Sequence, residues 1–148
     1  MRFDFFPYRR FLPLVYGSGV WSLVTLLLLT VGPANGEWVV VDTIVISNST
    51  VYADLSTMPR EGNLVKMWAL FDYKTERRLH GGPLALSLMN QYEYDCAEKR
   101  QRLLRNMWFS GHMGSGEIVH RFADELPWGP VVPEGPEHSL WTAACKKQ

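Results

Sequence analysis

The chain reads as an exported α+β domain: an antiparallel β-sheet of about six strands with one C-terminal helix packed on it, a disulfide being the expected pin. Three observations carry this reading. Short apolar runs separated by turn residues fill residues 37–122; the apolar period turns helical only in the last dozen residues; and a charged, then apolar, then small-residue leader precedes a remainder that holds both cysteines.

Residues 1–36 have the layout of a secretory signal peptide. Arg2, Arg9 and Arg10 outweigh Asp4, the apolar stretch "LVYGSGVWSLVTLLLLTV" runs from Leu14 to Val31, and Ala34 and Gly36 are small residues at the −3 and −1 positions of a cut before Glu37. An uncleaved signal anchor is the alternative, because Leu14 to Val31 reaches the roughly 18 residues that span a bilayer. Gly17, Ser18, Gly19 and Ser22 dilute its first half, and "RRFLPL" matches a twin-arginine signal only in part. The domain proper is then 37–148. Of the 15 cations and 15 acids in the chain, the leader takes three and one, which leaves 12 against 14. A net charge of −2 supports neither a nucleic-acid protein nor a polybasic membrane binder. Membrane contact is expected only through an uncleaved leader.

"EWVVVDTIVIS" (37–47) is rich in Val and Ile and ends at the turn-prone Ser47-Asn48-Ser49, so it reads as a strand. Asn48-Ser49-Thr50 fits a glycosylation sequon and is read here as a turn. "TVYADL" (50–55) is the second strand, and "STMPREGN" connects it onward. "NLVKMWALFDY" (63–73) puts Val65, Met67, Ala69, Phe71 and Tyr73 on one face and Leu64, Trp68 and Leu70, with Lys66 and Asp72, on the other. A strand apolar on both faces is covered on both; the helix serves one, and a subunit interface or a second layer within the chain serves the other.

"KTERRLHGGP" (74–83) is polar and ends in a Gly-Gly-Pro breaker, which predicts an exposed loop. "LALSLMNQYEYDC" (84–96) begins with helix formers, but Tyr92, Tyr94 and Cys96 alternate with Glu93 and Asp95, which predicts a strand at its end. "EKRQRLLRNMWFS" (98–110) has helical propensity and the length of a hairpin partner. "GHMGSG" (111–116) is a turn, "EIVHRF" (117–122) a strand, and "PWGPVVPEGP" (127–136) an extended surface segment too rich in proline for a central strand. In "PEHSLWTAACKK", Leu140, Trp141, Ala144 and Cys145 form one helical stripe, with Pro136 suited to the first turn and Lys146 and Lys147 to the negative end of the helix dipole.

Cys96 and Cys145 are the two cysteines, and in an exported chain such a pair most often oxidises to a disulfide. Closing a loop of about 50 residues stabilises a fold by roughly 4 kcal/mol in the chain-entropy model. A free thiol, an intermolecular bridge and a metal ligand are the alternatives. His80, His112, His120 and His138 lack metal spacing, and a thiol nucleophile would need a base that no neighbouring histidine supplies. Because Cys145 lies on the apolar stripe of the helix, a bridge to Cys96 would staple that helix to the sheet.

Three blocks, "VYADLSTMPREGNLVKMWALFDYKT", "YEYDCAEKRQRLLRNMWFSGHMGSGEIV" and "WGPVVPEGPEHSLWTAAC", cover most of residues 51–145. They carry a Tyr-x-Asp strand end, Gly-Asn before a Trp-bearing strand, Asp-Tyr-Lys, Tyr-Asp-Cys, Ser-Gly-x-x-Gly-x-Gly-Glu and a final Leu-Trp-x-x-x-Cys. In that order they resemble the surface-adhesin protein E-like family of bacterial exported proteins. The resemblance implies an antiparallel sheet with a packed helix, a disulfide at Cys96 and Cys145, and a tendency to form a homodimer. The founding member of that family is an outer-membrane lipoprotein adhesin that engages host matrix and serum proteins. This chain departs from it in one respect: "GPANGEW" offers no cysteine directly after the cleavage site, so it is not an obvious lipoprotein. Localisation is expected to be periplasmic or at the cell surface.

Lys99, Arg100, Arg102 and Arg105, with Trp108 nearby, are the candidate ligand-binding residues, a patch for acidic matrix proteins or glycans. The alternative is a solvated strand face whose arginines pair with Glu93, Asp95 and Glu98, worth about 0–1 kcal/mol per pair. Arg77 and Arg78 form a second, smaller candidate. Gly111, Gly114 and Gly116 match no phosphate loop, Ser115 sits in no nucleophile elbow, and no carboxylate pair has catalytic spacing. His112 and His120 flank the glycine turn and are the one pair that could meet in space for a catalytic or metal role. Of the six tryptophans, Trp128 is the one expected to be partly exposed. No catalytic residue, metal or cofactor is expected, and no nucleic acid. The function expected is a non-enzymatic binding module for an extracellular protein or glycan; a periplasmic structural or envelope-maintenance role without a host ligand is the alternative.

Overall fold

The computed structural model describes residues 37–146; the expected leader, Lys147 and Gln148 lie outside them. β1 (Trp38–Ile44), β2 (Ser49–Asp54), β4 (Leu64–Arg78), β5 (Leu84–Asp95), β6 (Arg100–Phe109) and β7 (Ile118–Phe122) form one antiparallel sheet in the order β1-β2-β4-β5-β6-β7. Two strands of two residues each, β3 (Arg60–Glu61) on β4 and β8 (Gly129–Pro130) on β6, raise the total to eight. The six long strands match the expected count, four of them in runs read as strands and two, β5 and β6, in segments whose reading was mixed or open. The two short ones carry no apolar pattern and form because their backbones meet the ends of longer strands. No helix among the described residues is long and apolar enough to cross a membrane.

The helix α1 (Pro136–Cys145) lies across β1, β2, β4 and β5. Pro136 occupies its first turn, as read, and Leu140 and Ala144 are fully buried while Trp141 and Cys145 are half-buried. Beneath it sit Val51, Ala53, Val65, Met67, Ala69 and Tyr94, all without exposed surface. Burying a leucine in such a layer contributes about 2 kcal/mol. Cys96, one residue past β5, is bonded to Cys145 at the end of α1. Polar contacts add to this: Arg60 Nη2 donates to the Ala144 carbonyl (3.0 Å), satisfying a helix-end acceptor, and Ser139 Oγ donates to Asp42 Oδ2 (2.9 Å).

On the opposite face the cover at Leu70 comes from within the chain. The β6–β7 connection, with a 3₁₀ turn at His112–Gly114, folds back over Leu70 and Met89. Ser87 Oγ donates to the Gly111 carbonyl (2.6 Å) and accepts from the Gly114 amide (2.9 Å). Asp72 accepts from the Met113 amide (2.7 Å) and faces His112 Nδ1 (3.2 Å). Gly114 has φ 71, and a Cβ there would stand 2.9 Å from Met89 Sδ, so only glycine lets the turn seat this closely.

Two segments depart from the sequence reading. β4 does not stop at Tyr73 but continues through "KTERR" to Arg78, pairing Arg77 with Ala85 and Arg78 with Leu84. The loop is only the turn beyond, where Leu79 N donates to the Pro83 carbonyl (3.1 Å). "LALSLMNQ" is strand from Leu84 onward, with no helical start. Sheet pairing on both sides overrides its helix propensity. The ambiguity over residues 98–110 resolves to the hairpin partner, β6.

Candidate functional site

The basic run sits at the β5–β6 hairpin, and its four cations divide into two kinds. Arg100 is held by Asp95, with Nε and Nη2 at 3.1 and 3.0 Å from Oδ2. Arg102 bridges Glu93 and Glu125, its Nε 2.7 Å from Glu93 Oε2 and its Nη1 2.8 Å from Glu125 Oε2. Both guanidinium groups also pack on the half-buried Trp128, 5.0 and 4.8 Å from its ring centroid. Lys99 and Arg105 are exposed and have no carboxylate within ion-pair distance among the described residues.

Asp95 is what holds this hairpin in shape. Its Oδ1 accepts from the amides of Glu98 (3.1 Å) and Ala97 (3.2 Å) while Oδ2 takes Arg100. The Glu98 amide chiefly, with Arg100 and the Ala97 amide, holds its carboxyl below the usual range against burial, which acts the other way. Glu93 is nearly buried between Arg102 and Lys66, whose Nζ is 3.8 Å away. Arg100 and Arg102 thus neutralise two buried acids, the arrangement the sequence raised as the alternative to a ligand patch; Glu98 contributes its amide rather than its carboxylate.

His112 and His120 are not brought together. His112 bonds Asp72 on the loop-covered face, whereas His120 pairs across strands with Trp108, and its ring lies on the face that carries α1. Gly111, Gly114 and Gly116 shape the turn, and Ser115 Oγ donates to the His112 carbonyl (2.6 Å), a turn contact. Among the described residues no group of three or more His, Cys, Asp or Glu is placed to hold a metal ion.

A second concentration of cations lies at the far end of the helix-bearing face, on the extension of β4. Between Asp72 and Arg77 the strand bulges, Tyr73–Glu76 standing opposite the single Leu86, and such bulges re-aim side chains. Arg77, Arg78, Leu79, His80, Gly82 and Pro83 wall a cleft of about 630 Å³ with Trp108 and His120. Arg77 lies over the Tyr73 ring at 4.9 Å, with its Nη2 3.0 Å from the Ser47 carbonyl, and Arg78 Nη1 is 3.2 Å from the Gly82 carbonyl. Trp108 stacks on Tyr73, rings nearly parallel and centroids 6.0 Å apart. Burial pushes the Tyr73 hydroxyl above its ordinary range, and the Arg77 charge only partly offsets this.

The sequence paired Arg77 with Arg78 but set Trp108 beside the 99–105 run and His120 with His112, and gave His80 no role; the structure gathers all three around the two arginines. A hairpin centred on residues 111–116 would set Trp108 opposite Val119; a bulge between Trp108 and Phe109 shifts the register by one and brings His120 there instead, which no sequence pattern records. The contribution of His80 depends on the fold-back of residues 79–83, which no periodicity records.

A family model described as surface-adhesin protein E matches residues 38–146. Solved structures of protein E from Haemophilus influenzae share the fold: one at 16% identity and TM-score 0.55 covers 75% of this chain and 84% of that one. A second, a selenomethionine form, has 14% identity and TM-score 0.56 over 75% and 86%. A third, crystal form II, has 15% identity and TM-score 0.53 over 73% and 94%. No curated protein matches. The six short motifs, the pinned helix and a family match that spans every described strand agree, and the chain belongs to the surface-adhesin protein E family.

Proposed function

We propose that the chain is an exported, non-enzymatic binding module that recognises an extracellular protein or glycan. The observation that supports this most is the family match, which runs from the first described strand to the end of α1. The hairpin at residues 95–100 supplies a contact surface in this reading. Lys99 and Arg105 are the residues of the run with charge to spare, while Arg100 and Arg102 serve as its frame. A homodimer is part of the proposal, and β1, an edge strand with Val39 and Val40 exposed, is where a second copy would pair.

The test is binding of immobilised matrix proteins and glycans by purified 37–148. Saturable binding is expected, and it should fall at least tenfold in Lys99→Glu/Arg105→Glu with the circular dichroism spectrum unchanged. Full binding by that folded variant removes the run from the site. Charge reversal at Arg100 and Arg102 is a poorer test, because it confronts the buried Glu93 and Asp95 with like charge.

The second reading, an envelope-maintenance protein without a host ligand, draws on the absence of a cysteine after the expected cleavage site. Failure to label the protein on intact cells, together with no saturable ligand, would favour it.

A further inference from the structure

We infer that the cleft walled by Arg77, Arg78, His80, Pro83, Trp108 and His120 is a binding site for an acidic saccharide, a sugar ring bearing a carboxylate or sulfate. The volume, about 630 Å³, falls within the range of small-ligand sites, about 300–1,000 Å³. The lining has a one-sided charge: two arginines and two histidines contribute to it and, among the described residues, no acidic residue does. Neither Arg77 nor Arg78 has a carboxylate within ion-pair distance among the described residues, in contrast to Arg100 and Arg102.

Each arginine spends one N–H on a backbone carbonyl, of Ser47 and of Gly82, which fixes its direction and leaves the other donors of the planar fork for a ligand. Such a fork matches a carboxylate or sulfate oxygen pair. The rest of the wall is flat and apolar. Trp108, held by its stack on Tyr73, and Pro83 offer surfaces on which the C–H face of a sugar ring packs. A lone anion would use the first half of this site and not the second; a neutral sugar would use the second and not the first.

This inference does not depend on a host-facing role, because it is measured on the purified domain. The probe is a sulfated glycosaminoglycan tetrasaccharide, with its desulfated, carboxyl-reduced counterpart and inorganic sulfate as comparisons, titrated by calorimetry and by NMR of the Trp108 indole. The sulfated sugar is expected to bind saturably, to shift the Trp108 indole signal, and to weaken as ionic strength rises. Affinity is expected to fall at least tenfold in Arg78→Gln, which is exposed and leaves β4 intact, and in His120→Ala, with the circular dichroism spectrum of each unchanged. Equal binding of the neutral, desulfated and carboxyl-reduced sugar, or of inorganic sulfate, would overturn the inference. So would shifts confined to the residue 95–105 hairpin, or no binding at millimolar concentration.

Discussion

At the scale of single residues, a few side chains do work that their types alone do not announce. Asp54, the end of the Tyr-x-Asp motif, accepts from Ser56 and Thr57 and so shapes the turn after β2. Asp72 and Ser87 anchor the β6–β7 connection, which leaves Gly114 no room for a side chain. Gly114→Ala combines a left-handed backbone with a contact against Met89, whose flexible chain relaxes part of the clash. The expected cost is about 1–2 kcal/mol, read as a lower urea midpoint with unchanged slope. An unchanged midpoint would mean the connection does not seat as described.

At the scale of elements, α1 is the one that depends most on others. Ten residues are too few to stand as an isolated helix, Gly135 supplies no side-chain cap, and the apolar stripe is narrow. Its persistence rests on Leu140, Ala144 and the bond to Cys96. Cys96→Ser/Cys145→Ser is expected to lower stability by about 3–4 kcal/mol and to lose helical ellipticity before the sheet signal in a thermal melt. Coincident loss of both would show that packing alone holds the helix. This helix was legible because its period differs from everything before it. The strands that were misread failed for two opposite reasons. The end of β4 is polar on both sides since it projects past the body of the sheet, and so resembles a loop. The start of β5 is buried on both sides, with Ala85, Ser87, Leu88 and Asn90 all shielded, and so loses its alternation. The candidate cleft was half legible for the same reason: the paired arginines announce themselves, whereas the aromatic and histidine wall is assembled by register.

At the scale of the whole molecule, the tyrosines under α1 couple stability to alkaline pH. Burial pushes the Tyr92 hydroxyl from 10.0 up to about 12, with the Asn90 hydrogen bond acting in the other direction, and burial pushes Tyr94 well above its ordinary value too. Between pH 10 and 12 the folded chain keeps protons that the unfolded chain releases, so stability is full below pH 10 and declines as pH rises through that window. Urea midpoints are expected to be flat from about pH 7 to 9 and to fall above 10, with phenolate absorbance from these residues appearing only on unfolding. Phenolate absorbance from all the tyrosines at pH 10 in the folded protein would show the layer under α1 to be open to solvent.

The covalent link between Cys96 and Cys145 changes what damage to the chain means. The stretch from Ala123 to Gly135, which leads to α1, is mostly exposed and holds only the two-residue β8. A protease that nicks it does not release α1: the terminal fragment stays tethered to the end of β5, seated on the same apolar layer. A nicked molecule therefore keeps its fold and its surface, runs at full size on a gel, and separates into two pieces only after reduction.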